Sequence, residues 1–75
     1  MKNKSKAEMV KELGSFIKNR RKQQNLTQEK MLDILYSEFD LFMDKNTLSL
    51  IERGKIATNW YNIFAILSVL GFKND

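Results

Sequence analysis

Four runs of apolar residues at helical spacing divide this 75-residue chain, and each run follows a residue with a short polar side chain. Side-chain oxygens of these types accept hydrogen bonds from the free N–H groups at a helix N-terminus. The pattern predicts four helices: one over about residues 6–24, one from 28 to an indistinct end, one of about nine residues after Asp44, and one from 60 to about 70. The predicted N-caps are Ser5, Thr27, Asp44 and Asn59, or Thr58 in place of Asn59. Gly54 is predicted to close the third helix in left-handed geometry.

The predicted fold class is all-α. The apolar run from Ile63 to Leu67 has the length of a buried strand, but no β-branched neighbours or pairing hairpin accompany it. Proline is absent and glycine occurs only at positions 14, 54 and 71, so no linker is predicted. We therefore expect one domain over residues 1–75, with residues 1–5 as a disordered basic tail.

Apolar stripes indicate which side of each helix faces the core. In the last helix, Tyr61, Ile66 and Val69 fall outside the main stripe and are available to close a dimer. The predicted stripes are Met9, Val10, Leu13, Phe16 and Ile17; Met31, Leu32, Leu35 and Phe39; Leu48 and Ile51; and Trp60, Ile63, Phe64, Leu67 and Leu70.

Composition excludes several classes of protein. The chain has no cysteine and no histidine, so it offers neither disulfides nor zinc ligands of the usual kind, and no calcium-loop pattern is present. No catalytic motif and no apolar stretch of membrane-spanning length occurs. We expect no enzyme activity, no cofactor, no metal and no membrane partner. Because so short a chain builds a marginal core, self-association is expected.

Charge is unevenly distributed along the sequence. Residues 1–25 contain eight basic and two acidic residues, a local charge of +6, whereas residues 26–75 sum to −2. A basic segment of this kind suits a polyanion such as a nucleic acid. A solvated lysine face explains the charge equally well, so both interpretations stay open at this point.

The predicted third helix has two chemically different sides. Leu48 and Ile51 share one side, whereas Lys45, Asn46 and Ser49 share the other and carry polar groups near the helix N-terminus. Lysine and asparagine are residue types that hydrogen-bond to guanine and adenine edges in the major groove, which admits an α-helix. This side of the helix is therefore a candidate DNA-reading surface.

Several motifs occur in order along the chain: Leu13-Gly14, Ile17, Arg21, Leu26-Thr27-Gln28-Glu29, Leu48, Ile51-Glu52-Arg53-Gly54-Lys55 and Leu70-Gly71. Together they resemble the XRE family of Cro and phage-repressor-type helix-turn-helix proteins over residues 12–72. The resemblance implies a lambda-repressor-like bundle of four to five helices, a dimer, and a cytoplasmic, nucleoid-associated protein of a bacterium or phage.

The same resemblance implies roles for individual residues. Gln28 would contact a DNA phosphate and brace the recognition helix, while Arg21 and Glu52 would form a buried structural ion pair. Among the remaining residues, Lys45, Asn46 and Ser49 would face the bases, and Thr47, Arg53 and Lys55 would approach the phosphates and the DNA backbone.

Two departures from the family pattern stand out. Leu50 occupies a position where family members often carry a polar base-reader, so it either contacts a thymine methyl group, is not used, or belongs to the core or an interface. About six extra residues fall within 36–43, which implies a lengthened second helix or turn. This acidic, aromatic segment either extends the core, which we favour, or forms a partner surface.

The resemblance and the polar face together predict a sequence-specific transcriptional regulator, most simply a repressor that binds a pseudo-palindromic DNA operator as a homodimer. The alternative is an antitoxin-like interaction module that binds a toxin protein and regulates its own operon. RNA binding is less favoured, because exposed stacking aromatics beside basic residues are not evident in the sequence.

Overall fold

A computed structural model describes residues 4–71 of the chain. Over this range the regular structure consists of four α-helices and no strand: α1 (Lys6–Gln23), α2 (Gln28–Phe39), α3 (Lys45–Glu52) and α4 (Trp60–Val69). The all-α prediction is confirmed, and each helix begins within one residue of its predicted start. Helix α1 packs against α3, and α2 packs against both α3 and α4.

The helices begin where the predicted caps lie. Ser5 and Glu8 form a reciprocal capping box, Thr27 accepts from the Lys30 N–H at 3.0 Å, and Asp44 and Asn59 cap α3 and α4. Thr58 has a different role, since its hydroxyl accepts a hydrogen bond from the Asn62 side chain at 2.8 Å. Of the expected disordered tail, residues 1–3 lie outside the described residues, whereas Lys4 pairs with Glu12.

Left-handed backbone follows each of the four helices, at Asn25, Asp40, Gly54 and Gly71. Gly54 has φ +71° after α3, as predicted for a glycine in this position, and Asp40 has φ +53° after α2. Asp40 fixes the end that the sequence left indistinct, because it terminates α2 at Phe39 and begins the link of residues 40–44. The other eleven residues of α2 and the five-residue link therefore separate Gln28 from α3.

The core lies between all four helices. In α4, Ile66 is fully buried and Val69 packs against the core, whereas Trp60 is 77% and Phe64 is 57% exposed, so the predicted stripe was wrong at these four positions. Helix α4 is apolar on nearly every side, and periodicity alone then does not identify the core-facing side. The buried apolar residues are Ile17, Met31, Leu35, Met43, Leu48, Ile51, Ala65, Ile66 and Leu70.

Residues 36–43 are divided between core and surface. Met43 is buried and Phe39 and Leu41 pack against the core, as the favoured interpretation predicted. Tyr36 and Phe42 are 63% and 81% exposed, so for these two residues that interpretation was wrong. Met9 and Phe16 of α1 also lie outside the core, at 59% and 44% exposed, so the predicted stripe of α1 was wrong at these two positions.

Candidate nucleic-acid interface

Helix α3 is fixed at its N-terminus by Asp44. The Asp44 Oδ1 accepts a hydrogen bond from the Thr47 backbone N–H at 2.8 Å, and this bond holds the pKa of the carboxyl below its ordinary value. At the other end, the Lys55 N–H donates to the Leu50 carbonyl at 2.9 Å and closes the last turn. The eight-residue helix therefore has defined ends and a defined rotation against α1 and α2.

Apart from Glu52, the polar residues of α3 lie on the side away from the core. Leu48, Ile51 and Glu52 are buried, whereas Asn46 and Arg53 are exposed. The remaining predicted DNA-contacting residues divide by exposure: Lys45 and Lys55 are exposed, and Thr47, Ser49 and Gln28 are half-buried.

Gln28, the first residue of α2, is tied to α3 by its side-chain amide. Its Nε2 donates to Ser49 Oγ at 3.3 Å and to Glu52 Oε1 at 3.1 Å. These two bonds set the position of α3 relative to the start of α2, which is the bracing role that the resemblance implies. Ser49 is thereby part of a hydrogen-bonded group rather than a free polar side chain.

Arg21 and Glu52 form a two-bond ion pair inside the protein. The Arg21 Nε donates to Glu52 Oε2 at 2.7 Å, and Nη2 donates to Oε1 at 3.0 Å. The remaining nitrogen, Nη1, donates to the Leu26 carbonyl at 2.8 Å. The hydrogen bonds to Glu52 raise the pKa of Arg21, although burial opposes the rise. The pair joins α1, the turn after it, and the last turn of α3.

Lys45 has a partner that the sequence did not reveal. Its Nζ lies 2.6 Å from Glu29 Oε2, and both side chains are largely exposed. The hydrogen bond from Lys45 holds the pKa of Glu29 below its ordinary value. The first turns of α2 and α3 are thus linked by an exposed ion pair between residues sixteen apart in sequence, and no local pattern signals a pair at such a separation.

A polar cleft of about 280 Å³ opens between α1, α2 and α3. Its basic residues are Lys18, Arg21 and Lys22 of α1 and Arg53 at the end of α3. Its one acidic residue, Glu52, is paired with Arg21, and the Gln28–Ser49 pair lies at its wall. The excess of basic charge in residues 1–25 therefore reaches the same surface as the polar side of α3. A cleft of this composition can accept a phosphate group from water.

Exposed aromatic side chains form a second candidate surface. Trp60 and Tyr61 meet edge to face with ring centroids 5.9 Å apart, and the Tyr61 hydroxyl donates to the Phe39 carbonyl at 3.2 Å. Phe64 lies one turn further along α4. Helix α4 contains no charged residue, so this surface is suited to contact with another apolar surface.

Within residues 4–71, no group of acidic side chains is arranged to hold a metal ion. None of the helices in this range has the length and apolar character needed to cross a membrane. Comparison of the chain with protein-family models, with curated proteins and with solved structures found no match.

Proposed function

We propose that this protein binds specific sequences of double-stranded DNA by inserting α3 into the major groove, with α2 and α3 acting as a helix-turn-helix in a lambda-repressor-like bundle. The observation that carries the proposal is the convergence of two features on one surface. The exposed polar side of α3, with Asn46 and Arg53, borders the cleft to which α1 contributes Lys18 and Lys22.

The two features supply the two kinds of contact that specific binding needs. Asn46 is exposed near the N-terminus of α3. An asparagine amide can donate from Nδ2 to adenine N7 while its Oδ1 accepts from the adenine N6 amino group, a pattern that adenine alone presents. Lys18, Lys22 and Arg53 supply positive charge for phosphates, which fixes the position of the protein along the duplex without reading sequence. Lys55 extends this charge beyond the end of α3.

Transcriptional repression by a homodimer at a pseudo-palindromic operator is part of the proposal. Such an operator requires two copies of α3 about one turn of DNA apart. The uncharged α4 supports the dimer, because two copies of this chain, each of net charge +4, can meet along it without bringing like charges into contact. Trp60 and Phe64 are the exposed side chains that this contact would bury.

The test is selection of bound duplexes from a random-sequence pool, with light scattering to give the mass of the complex. We expect one enriched inverted repeat bound by a dimer. Asn46→Ala is expected to cost about 1–3 kcal/mol on that sequence and little on unrelated DNA, whereas Lys22→Ala weakens binding to every sequence and lowers the salt slope.

The matched control is Ser37→Ala, which truncates an exposed polar residue about 13 Å along α2 from Gln28. It is expected to change neither affinity nor sequence preference. Enrichment of no sequence, together with a salt slope that Lys22→Ala leaves unchanged, would contradict the proposal.

The second candidate function is binding of a protein partner, as in antitoxins that neutralise a toxin and repress their own operon. The specific observation in its favour is a groove of about 320 Å³ beside the exposed rings of Tyr36 and Phe42. This groove is lined by α2 and by residues 42–43, away from the polar side of α3. Binding of a partner protein that is lost in Tyr36→Ala or Phe42→Ala would support this candidate, whether or not the protein also selects a DNA sequence.

A further inference from the structure

Leu50 is an apolar residue on the outward side of α3. At about 100° per residue it lies roughly opposite Leu48, on the side shared with Asn46 and Arg53. It is half-buried, and among residues 4–71 it is not one of the apolar side chains that pack against the core. Leu50 is therefore a partly exposed, branched aliphatic group on the polar side of α3.

The chemistry of the major groove offers one apolar group to such a side chain. Base edges there present hydrogen-bond donors and acceptors, and the C5 methyl group of thymine is the exception. From this position, and resting on the proposed function, we infer that Leu50 packs against a thymine methyl group and selects an A·T pair at that position of the half-site.

Helix geometry limits where that thymine lies. Leu50 is four residues after Asn46, which corresponds to about 6 Å along the helix axis. Successive base pairs are separated by about 3.4 Å. The thymine is therefore expected within two base pairs of the adenine that Asn46 reads, in each half-site of an inverted repeat.

The experiment replaces each thymine of the selected duplex, one at a time, with deoxyuridine, which removes only the C5 methyl group and keeps base pairing and the O4 acceptor. Wild-type protein is expected to lose affinity by about four-fold at one position in each half-site, the value of one buried methyl group. At that position Leu50→Ala is expected to bind the thymine and deoxyuridine duplexes equally.

Met9→Ala is the matched control, because it removes an exposed apolar side chain outside α3; it is expected to retain the four-fold difference. Specific binding in which no thymine can be distinguished from deoxyuridine would overturn this inference and leave the proposed function standing. A Leu50→Ala protein that still binds the thymine duplex more tightly than the deoxyuridine duplex would likewise overturn this inference and leave the proposed function standing. Absence of any sequence-selective binding by the wild type would overturn both.

Discussion

The Cα of Gly14 in α1 lies directly against the carbonyl oxygen of Ile51 in α3, with no room for a side chain between them. A Cβ added at Gly14 would overlap that oxygen, and it would also lie 2.9 Å from the Glu52 carbonyl oxygen and 3.0 Å from the Gly54 nitrogen. These neighbours are backbone atoms, so they can be relieved only by moving one helix away from the other. This contact sets the distance between α1 and the helix proposed to read DNA.

Gly14→Ala is therefore expected to lower the free energy of unfolding by about 1–3 kcal/mol, although alanine ordinarily stabilises a helix interior relative to glycine. Ser15→Ala is the matched control, because Ser15 is exposed on the same turn of α1 and should gain up to about 0.5 kcal/mol from helix propensity. Urea unfolding followed by circular dichroism measures both. A Gly14→Ala protein as stable as the wild type would show that α1 and α3 separate without cost.

The buried pair of Arg21 and Glu52 predicts a strongly non-additive result. Arg21→Met leaves the Glu52 carboxylate without its main partner in a buried site, so we expect a loss of about 3–5 kcal/mol. The double variant Arg21→Met/Glu52→Leu removes both charges and is expected to recover most of that loss. Urea unfolding of the four proteins in the cycle gives the coupling free energy. If the losses of unfolding free energy in the two single variants add up to the loss in the double variant, the two side chains do not stabilise each other.

The parts of the fold that could be predicted from sequence are those set by local chemistry. The caps at Ser5, Thr27, Asp44 and Asn59 and the left-handed Gly54 each depend on residues within one turn of them, and all five occur as predicted. The pairing of Arg21 with Glu52 was anticipated only through the family resemblance.

The parts that could not be predicted depend on tertiary arrangement. Helix α4 carries apolar residues on most sides, so its rotation is set by packing against α2, and the assignments of Ile66, Trp60 and Phe64 failed for that reason. The pairing of Lys45 with Glu29 depends on the angle between α2 and α3, which no periodicity encodes.

Capping by Asp44 predicts a pH dependence of stability. The bond from the Thr47 N–H lowers the pKa of Asp44 below its ordinary value of 3.8. A lowered carboxyl pKa in the folded state means that this contribution to stability is present above pH 3.8 and is lost as pH falls through the folded value. Asparagine caps a helix without titrating. As pH falls below 3.8, the free energy of unfolding is therefore expected to fall more for the wild type than for Asp44→Asn.

Urea unfolding of both proteins between pH 7 and pH 3 measures this shift. Asp44→Ala serves as the comparison for the cap itself, since it loses the hydrogen bond at every pH and should be less stable than Asp44→Asn throughout. A difference between wild type and Asp44→Asn that stays constant over the whole range would contradict the role assigned to the ionised carboxylate.

The ion pair between Glu29 and Lys45 predicts a substitution that strengthens DNA binding. Glu29 holds the Lys45 ammonium group at the start of α3 and adds a negative charge to the surface proposed to approach phosphates. Glu29→Gln removes that charge and releases Lys45, so affinity for duplex DNA is expected to rise several-fold. If Lys45 then neutralises one more phosphate, the slope of log affinity against log salt steepens by about 0.9.

Glu38→Gln is the matched control for this prediction, because it makes the same change in net charge near the other end of α2 and leaves Lys45 paired. Its effect on affinity is expected to be smaller, and it should leave the salt slope unchanged because no new contact forms. Titrations of one duplex at several salt concentrations compare the two variants with the wild type. Equal effects of Glu29→Gln and Glu38→Gln would mean that net charge alone is responsible and that Lys45 makes no contact with the DNA backbone.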